Sequence, residues 1–305
     1  MEKDKKKRPR IPARLLAQTA FAALFNGYAA GFAKGRIFTG KTKLICVPVL
    51  NCYSCPGALG SCPLGALQAV LSDRGYAFSF YVLGFLMLFG TLLGRLICGL
   101  MCPFGFIQDL LHKIPLPKPE IPRRADRVMR YLKYLVLLVL VILLPALLTN
   151  DYGIGKPYFC KWICPAGTLE GGIPLLAAND SLRQAAGPMF LVKLLILAVC
   201  VVSAVFIYRP FCKYICPLGA VYSLFNRFSL YQMTLDSSAC VNCGKCEAAC
   251  GMKVDVRKNI SSGECIRCGE CKKVCPAGAI KSGFIIPRSE SLRDKRIDNR
   301  KGKTE

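Results

Sequence analysis

Histidine and acidic residues are both scarce in this sequence of 305 residues. Its single histidine, His112, falls at the end of an amphipathic stretch and is expected on the surface. One imidazole cannot build a haem or zinc site that depends on histidine ligands, so neither kind of site is expected. No helix-turn-helix or zinc-finger pattern accompanies the basic residues, which flank apolar runs, so no nucleic-acid partner is expected either.

The shortage of acidic residues leaves a chain that is both basic and hydrophobic. Its 42 Lys and Arg outnumber 18 Asp and Glu, which gives a net charge of +24. Yet 53% of its residues are hydrophobic, and the mean hydropathy is +0.38. A soluble protein rarely combines these features, whereas a membrane protein with basic cytoplasmic segments does so naturally. The composition therefore favours a membrane protein.

Cysteine, in contrast, is abundant: there are 19, and most form CxxC or CxxxCP groups. Two C-x2-C-x2-C-x3-C runs begin at Cys240 and Cys265, a pattern typical of a bacterial two-cluster ferredoxin. In that arrangement the fourth cysteine of each run binds the other cluster. The predicted ligand sets are Cys240, Cys243, Cys246 and Cys275, and Cys265, Cys268, Cys271 and Cys250. Tetrahedral zinc is the alternative, but it does not explain the interleaved fourth cysteines.

Three CxxxCP motifs lie upstream: Cys98 to Cys102, Cys160 to Cys164 and Cys212 to Cys216, each followed by proline. On a helical path the two thiols of a motif share one face, and the proline suits the first position of a new helix. The second cysteine then lies at a helix N-terminus, where free N–H groups and the helix dipole favour an anion such as a thiolate-ligated cluster. Cysteines that pack as small hydrophobic residues are the alternative.

Four apolar runs, 11–32, 76–93, 131–149 and 189–208, are each long enough to cross about 30 Å of hydrocarbon. Buried core helices are the alternative. The first run also resembles a signal peptide, but its length favours an uncleaved anchor. Seven Lys or Arg in residues 113 to 133 place that loop and both chain termini on the cytoplasmic side, although the loop after the first run is basic as well.

With this topology two of the CxxxCP motifs meet at the cytoplasmic ends of the second and fourth runs. Cys98, Cys102, Cys212 and Cys216 are therefore predicted to bind one [4Fe-4S] cluster. Six cysteines compete for four places on the external side: Cys46, Cys52, Cys55, Cys62, Cys160 and Cys164. The favoured ligands are Cys55, Cys62, Cys160 and Cys164, followed by Cys52. Cys46 is expected to be structural or disulfide-bonded, and Cys200 to be a packing residue.

The predicted fold is an α-helical membrane protein with four transmembrane helices, in two tandem halves of residues 11–115 and 131–230. The helices that begin at the Cys-Pro corners, residues 103–111 and 217–225, are too short to span and are interpreted as re-entrant or interfacial. A small α+β ferredoxin domain is predicted for residues 236–283. A basic tail, 1–10, and a charged tail, 284–305, flank these units.

The two cytoplasmic CxxxCP motifs, Cys98–Cys102 and Cys212–Cys216, followed by a two-cluster ferredoxin, resemble the NapH and NosR group of membrane polyferredoxins over residues 76 to 280. The resemblance implies a cytoplasmic-membrane protein with four or more helices, which passes electrons from a membrane or cytoplasmic donor to a partner outside. The external cysteines depart from the simpler NapH pattern. They suggest that the electron route continues to the outer face.

The expected function is a transmembrane electron-transfer conduit with four [4Fe-4S] clusters and no catalytic residues of its own. No nucleotide or flavin fingerprint is present, so a cytoplasmic redox donor protein and an extracytoplasmic acceptor, such as a flavoprotein, would be separate molecules in contact with this lipid-embedded chain. Two alternatives remain open. One is a quinone- or quinol-linked subunit of a membrane oxidoreductase, and the other is a redox sensor or assembly factor.

Overall fold

A computed structural model describes residues 13–72, 79–119, 121–148 and 155–284. The predicted tail 1–10 lies outside these residues, as does all but the first residue of the predicted tail 284–305. The helices are Ala13–Phe25, Ala29–Lys34, Lys41–Leu44, Pro63–Ser72, Phe80–Leu93, Leu96–Leu100, Pro103–Leu111, Arg123–Met129, Leu132–Val136, Leu137–Leu143, Leu144–Leu147, Tyr158–Trp162, Pro165–Gly167, Thr168–Gly172, Ile173–Ala178, Asp180–Gln184, Pro188–Phe206, Pro210–Tyr214, Pro217–Phe225, Lys245–Ala248 and Glu270–Lys273. The strands are Tyr231–Leu235 and Ile280–Phe284. The predicted helical fold with a C-terminal ferredoxin-like domain is confirmed.

Two helices in the described part of the chain, Arg124–Leu147 and Pro188–Phe206, are long and apolar enough to cross a membrane. They coincide with the third and fourth apolar runs. The outer face of Pro188–Phe206 carries apolar side chains at helical spacing, including Leu191, Leu195 and Val199, each at least 60% exposed. Such a stripe is typical of a helix that meets lipid or another protein.

The first two apolar runs form shorter helices than predicted. The first run is divided into Ala13–Phe25 and Ala29–Lys34 because the chain turns at Gly27. There it hydrogen-bonds to the loop that follows: Tyr28 N–H donates to the Gly57 carbonyl at 3.2 Å. The second run forms Phe80–Leu93, of 14 residues, while residues 76–78 lie outside the described part. A helix of this length does not span the hydrocarbon core without additional residues.

The helices at the Cys-Pro corners begin and end at the predicted residues, Pro103–Leu111 and Pro217–Phe225. They lie in the centre of the molecule. The Phe104 ring packs edge-on against Phe211 with 5.1 Å between centroids. Tyr222 is fully buried, and its hydroxyl donates to the Pro48 carbonyl at 2.9 Å. The corners of both halves therefore form one continuous core.

The strand that precedes the predicted ferredoxin domain, residues 236–283, pairs with the strand at the end of that domain. Strand Tyr231–Leu235 pairs antiparallel with Ile280–Phe284, so that Tyr231 lies opposite Phe284. Its two cysteine runs have the same backbone turn. Gly244 has a φ of 73° and Gly269 a φ of 79°, the left-handed region that glycine enters without steric cost. This turn begins the short helix that carries the third cysteine of each run.

The ferredoxin domain packs directly on the centre of the helical domain. A Cβ atom on Gly99 would lie 2.2 Å from the Ile266 carbonyl oxygen, so glycine permits the closest approach of the two backbones. Arg95 donates to the Gly263 carbonyl at 2.8 Å and pairs with Glu264 at 2.9 Å. Arg267 donates to the carbonyl that ends helix Phe80–Leu93, at 2.9 Å. Charged hydrogen bonds therefore hold the cysteine-bearing loop of the ferredoxin against the helices.

Candidate metal centres

Cys98, Cys102, Cys212 and Cys216, hereafter the Cys98 group, come together from both halves of the chain. Each of the six pairs among these thiols interacts electrostatically. All four side chains are buried, with at most 8% exposed. Cys216 caps helix Pro217–Phe225, and its sulfur accepts a hydrogen bond from the Gly219 N–H at 3.4 Å. The helix N-terminus thus supplies the positive environment that a thiolate needs.

A second group, the Cys52 group, consists of Cys52, Cys62, Cys160 and Cys164. Each of its six pairs also interacts electrostatically. Cys164 caps the next helix as Cys216 does, since its sulfur accepts from the Gly167 N–H at 3.4 Å. The Cys52 group therefore repeats the geometry of the Cys98 group.

The structure brings Cys52 to this group, whereas the sequence favoured Cys55. The Cys55 thiol interacts electrostatically with Cys52 and donates to the Asn26 side-chain oxygen at 3.6 Å. The N–H of Cys52 donates instead to Glu170 Oε2 at 3.0 Å. The partly buried Glu170 side chain thus anchors the Cys52 loop against the other half of the chain. Spacing within the loop could not reveal this contact, because its partner lies 118 residues away.

The remaining cysteines of the helical domain lie outside both groups. Cys46 is buried and forms a parallel backbone bridge with Ser61. Cys200 is buried in the core, on helix Pro188–Phe206. Both are free thiols.

The structure places the ferredoxin cysteines in two interleaved sets, and that each set ligates a cluster stays a prediction. The Cys265 group is Cys250, Cys265, Cys268 and Cys271, and each of its six pairs interacts electrostatically. The Cys240 group is Cys240, Cys243, Cys246 and Cys275, whose members line one cavity. The Cys265 group lines another. Gly251, which stands where proline is usual, packs on Tyr208: a Cβ there would lie 2.6 Å from the ring.

The donors of each group, four thiols, are those of a cubane cluster. Among the described residues no three Cys, His, Asp or Glu side chains converge on one metal position. Each thiolate of a cubane ligates a different iron, so its ligands surround a volume instead of a point. In the Cys52 group, the volume beside the Cys52 sulfur is lined by two glycines, Gly167 and Gly171. A Cβ on Gly167 would lie 3.5 Å from the Cys52 sulfur, and one on Gly171 would lie 3.3 Å from it.

Burial holds the thiols of Cys52 and Cys271 in the neutral form unless a cation binds. Burial raises the pKa of Cys52 and of Cys271 to about 12 each. Burial disfavours a charged thiolate, whereas a bound iron compensates the charge. Iron binding at these sites is therefore expected to release protons.

Buried cations surround the Cys98 group. Arg209 is fully buried, donates to the Cys98 carbonyl and forms a two-pronged pair with Asp109, with both N–O distances 2.6 Å. Arg95 donates to the Cys212 carbonyl at 3.1 Å. Lys213 contacts Asp126 instead. Arg95 and Arg209 thus provide positive charge beside the thiols, which stabilises an anionic cluster. The sequence pattern gave no partner for either arginine.

Comparison with known proteins supports this chemistry. A family model described as a 4Fe-4S binding domain matches residues 75–122, 134–173 and 189–231, and a second model of that description matches residues 259–281. The uncharacterized protein MJ0750 of Methanocaldococcus jannaschii is 31% identical over 197 residues, which cover 65% of this chain and 75% of that protein. No solved structure matches the chain.

Two further relatives have names that describe their function. The putative electron transport protein YccM of Escherichia coli is 25% identical, over 34% of this chain and 44% of that protein. The methylamine utilization ferredoxin-type protein MauN of Paracoccus denitrificans is 29% identical, over 52% of this chain and 48% of that protein. The chain thus spans about half the length of these two relatives. The resemblance inferred from the cysteine motifs is confirmed, and the chain belongs to the polyferredoxin-type family of proteins with 4Fe-4S binding domains.

Proposed function

We propose that this protein is a transmembrane electron-transfer conduit in which the four cysteine groups hold [4Fe-4S] clusters in series. When bound, each cluster supplies a one-electron carrier. The order along the route is the Cys240 group, the Cys265 group, the Cys98 group and the Cys52 group. The convergence of four thiols, two from each half, in both the Cys98 and the Cys52 group carries the proposal.

The contacts between neighbouring groups support a series. Gly99, next to Cys98, touches the backbone of Ile266, next to Cys265. On the other side of the Cys98 group, buried Tyr222 interacts electrostatically with Cys98 and also with Cys62 of the Cys52 group. Its hydroxyl reaches the Pro48 carbonyl in the loop that leads to Cys52. These contacts support a series that runs from the Cys265 group through the Cys98 group to the Cys52 group.

The two ends of the series are suited to separate partners. Cys243 is exposed, and Val241 beside it is 65% exposed, so a soluble redox protein can approach the Cys240 group. At the other end, Cys52 and Cys160 are only partly buried. A hydrocarbon core about 30 Å thick is too wide for one fast electron transfer, so two clusters within the helical domain provide the intermediate positions. The direction in which electrons flow depends on the potentials of these partners.

Iron analysis of the purified full-length protein tests the proposal. Four cubanes predict about sixteen iron and about sixteen acid-labile sulfide atoms per chain, with four EPR signals on reduction. A content of about eight, with signals from the ferredoxin clusters alone, would contradict the proposal, because it leaves the helical domain without clusters.

The identity of the fourth ligand in the Cys52 group is tested by two serine variants. Cys52→Ser is expected to lose about four iron atoms per chain or to yield an altered cluster, since a cubane needs a ligand for each iron. Cys55→Ser is the matched control, three residues away, and is expected to retain all iron. Iron content and the EPR spectrum of each variant provide the measurement. The opposite pattern would restore Cys55 as the ligand.

A quinone-linked role is the second candidate, and one cavity favours it. A cavity of about 930 Å³ lies between the helical domain and the ferredoxin, where His112, Tyr208, Lys213 and Cys250 line it. A space of this size with a few polar groups can hold a small organic molecule. Cys52→Ser separates the two functions: a conduit loses transfer to an acceptor on the far side of a vesicle membrane, whereas a quinone-linked subunit keeps its quinone turnover.

A further inference from the structure

A buried glutamine contacts the Cys98 group. Gln108, on helix Pro103–Leu111, is 2% exposed, and its Nε2 donates to the Cys212 sulfur at 3.2 Å. The same nitrogen donates to the Phe104 carbonyl at 3.3 Å, and Oε1 accepts from the Phe211 N–H at 3.2 Å. Both amide hydrogens and the amide oxygen therefore have partners, and a flipped amide would place oxygen against two acceptors.

An equivalent glutamine contacts the Cys52 group. Gln68, on helix Pro63–Ser72, is fully buried, and its Nε2 donates to the Cys160 sulfur at 3.3 Å. It also donates to the Leu64 carbonyl at 3.2 Å, while Oε1 accepts from the Phe159 N–H at 3.1 Å. The three contacts match those of Gln108 atom for atom.

The sequence register of the two glutamines is also the same. Each is the sixth residue after the cysteine of a Cys-Pro corner, Cys62 or Cys102, in the first half of the chain. Each glutamine donates a hydrogen bond to the first cysteine of a CxxxCP motif in the second half of the chain. Each also accepts a hydrogen bond from the N–H of the phenylalanine that precedes this cysteine. Each glutamine therefore connects the two halves at a cysteine group. The same three contacts occur at both sites, which indicates that this arrangement serves the metal centre and is not incidental packing.

We propose that Gln108 and Gln68 donate hydrogen bonds to ligand sulfurs and thereby raise the reduction potentials of the clusters in the Cys98 and Cys52 groups, respectively. This inference rests on the proposed function. A hydrogen bond to a ligand sulfur stabilises negative charge, and a reduced cluster carries more of it than an oxidised one. Each donor therefore favours the reduced state of its own cluster.

A redox titration of four full-length proteins followed by EPR tests the inference: wild type, Gln108→Met, Gln68→Met and the control Gln232→Met. Methionine matches glutamine in length but donates no hydrogen bond. Gln232 lies on the ferredoxin strand Tyr231–Leu235 and donates to the Arg227 carbonyl, away from the sulfurs. Gln108→Met is expected to lower the midpoint potential of the Cys98-group cluster alone, and Gln68→Met that of the Cys52-group cluster alone. The Gln232 variant should leave all four potentials unchanged.

Pulsed EPR of the wild-type protein supplies a measurement that does not depend on how the variants fold. Glutamine labelled with ¹⁵N at the side-chain amide should show hyperfine coupling to the reduced clusters of the helical domain. About sixteen iron per chain with unchanged potentials, or with no ¹⁵N coupling, would overturn this inference and leave the conduit standing. About eight iron in the wild type would instead overturn the proposed function.

Discussion

Gly99→Val is expected to separate the ferredoxin from the helical domain and to slow electron transfer between the Cys265 and Cys98 groups. Even a single Cβ at this position would lie 2.2 Å from the Ile266 carbonyl oxygen, far inside contact distance. The obstacle is backbone, so it cannot rotate away as a side chain would. The Cys265 loop must therefore move, and it carries two proposed ligands, Cys265 and Cys268, on either side of Ile266. Because transfer depends on separation, we expect a loss of roughly tenfold or more.

Rapid-reaction spectroscopy of the reduced protein, with the magnetic coupling between clusters read by EPR, measures this effect. Gly84→Val is the matched control, since Gly84 lies on the nearby helix Phe80–Leu93 and a Cβ there meets nothing within 4 Å. That variant should transfer electrons at the wild-type rate. Full transfer and unchanged coupling in Gly99→Val would show that the ferredoxin communicates with the helices by another contact.

Arg209→Leu is expected to destabilise the helical domain by up to about 3 kcal/mol, the low end of the cost of breaking a buried ion pair, because Asp109 keeps Arg14 as a second charged partner. Arg209 is fully buried and holds Asp109 through two hydrogen bonds of 2.6 Å. It also adopts a left-handed backbone with a φ of 48°, which a non-glycine residue rarely does. Without it, Asp109 keeps Arg14 and Gln18 as partners but loses the bidentate pair. Thermal unfolding in detergent, together with iron retention, provides the measurement.

Two controls identify the cause of that loss. Arg183→Leu removes an arginine whose pair with Asp180 is exposed, at 63% and 80% of the two side chains, and should cost about 0.5 kcal/mol or less. The double variant Arg209→Leu/Asp109→Leu removes both charges and should recover part of the stability lost in Arg209→Leu. If the double variant is no more stable than the single one, the role of Arg209 lies in its bond to the Cys98 carbonyl and not in the ion pair.

Some parts of the structure could be predicted from local sequence. Helices Pro103–Leu111 and Pro217–Phe225 start where a proline follows a cysteine, because proline suits the first helical position and has no N–H to satisfy. The interleaved ferredoxin sets could be predicted for a similar reason. A fixed spacing with a left-handed turn at Gly244 and Gly269 constrains where each thiol can lie.

The choice between Cys52 and Cys55 could not be predicted, since both lie in one irregular loop. That choice is made by Glu170, far along the chain, which accepts from the Cys52 N–H. The helix of the first apolar run is shorter than that run for a related reason. The hydropathy of the first run is continuous over residues 11–32. In the structure the helix ends at Phe25, because the backbone next to Gly27 hydrogen-bonds with a later loop.

Local sequence is enough to predict candidate iron ligands, the residues at which the corner helices begin, and the division of the chain into a helical part and a ferredoxin. Those features depend on covalent spacing and on backbone preferences within a few residues. Three features depend on tertiary contacts: the place of Cys52 rather than Cys55 beside Cys62, Cys160 and Cys164, the glutamines that reach a sulfur, and the close approach of Gly99 to Ile266. Such contacts join residues about 90 to 170 positions apart, and their energy depends on how both halves pack, which no local pattern records.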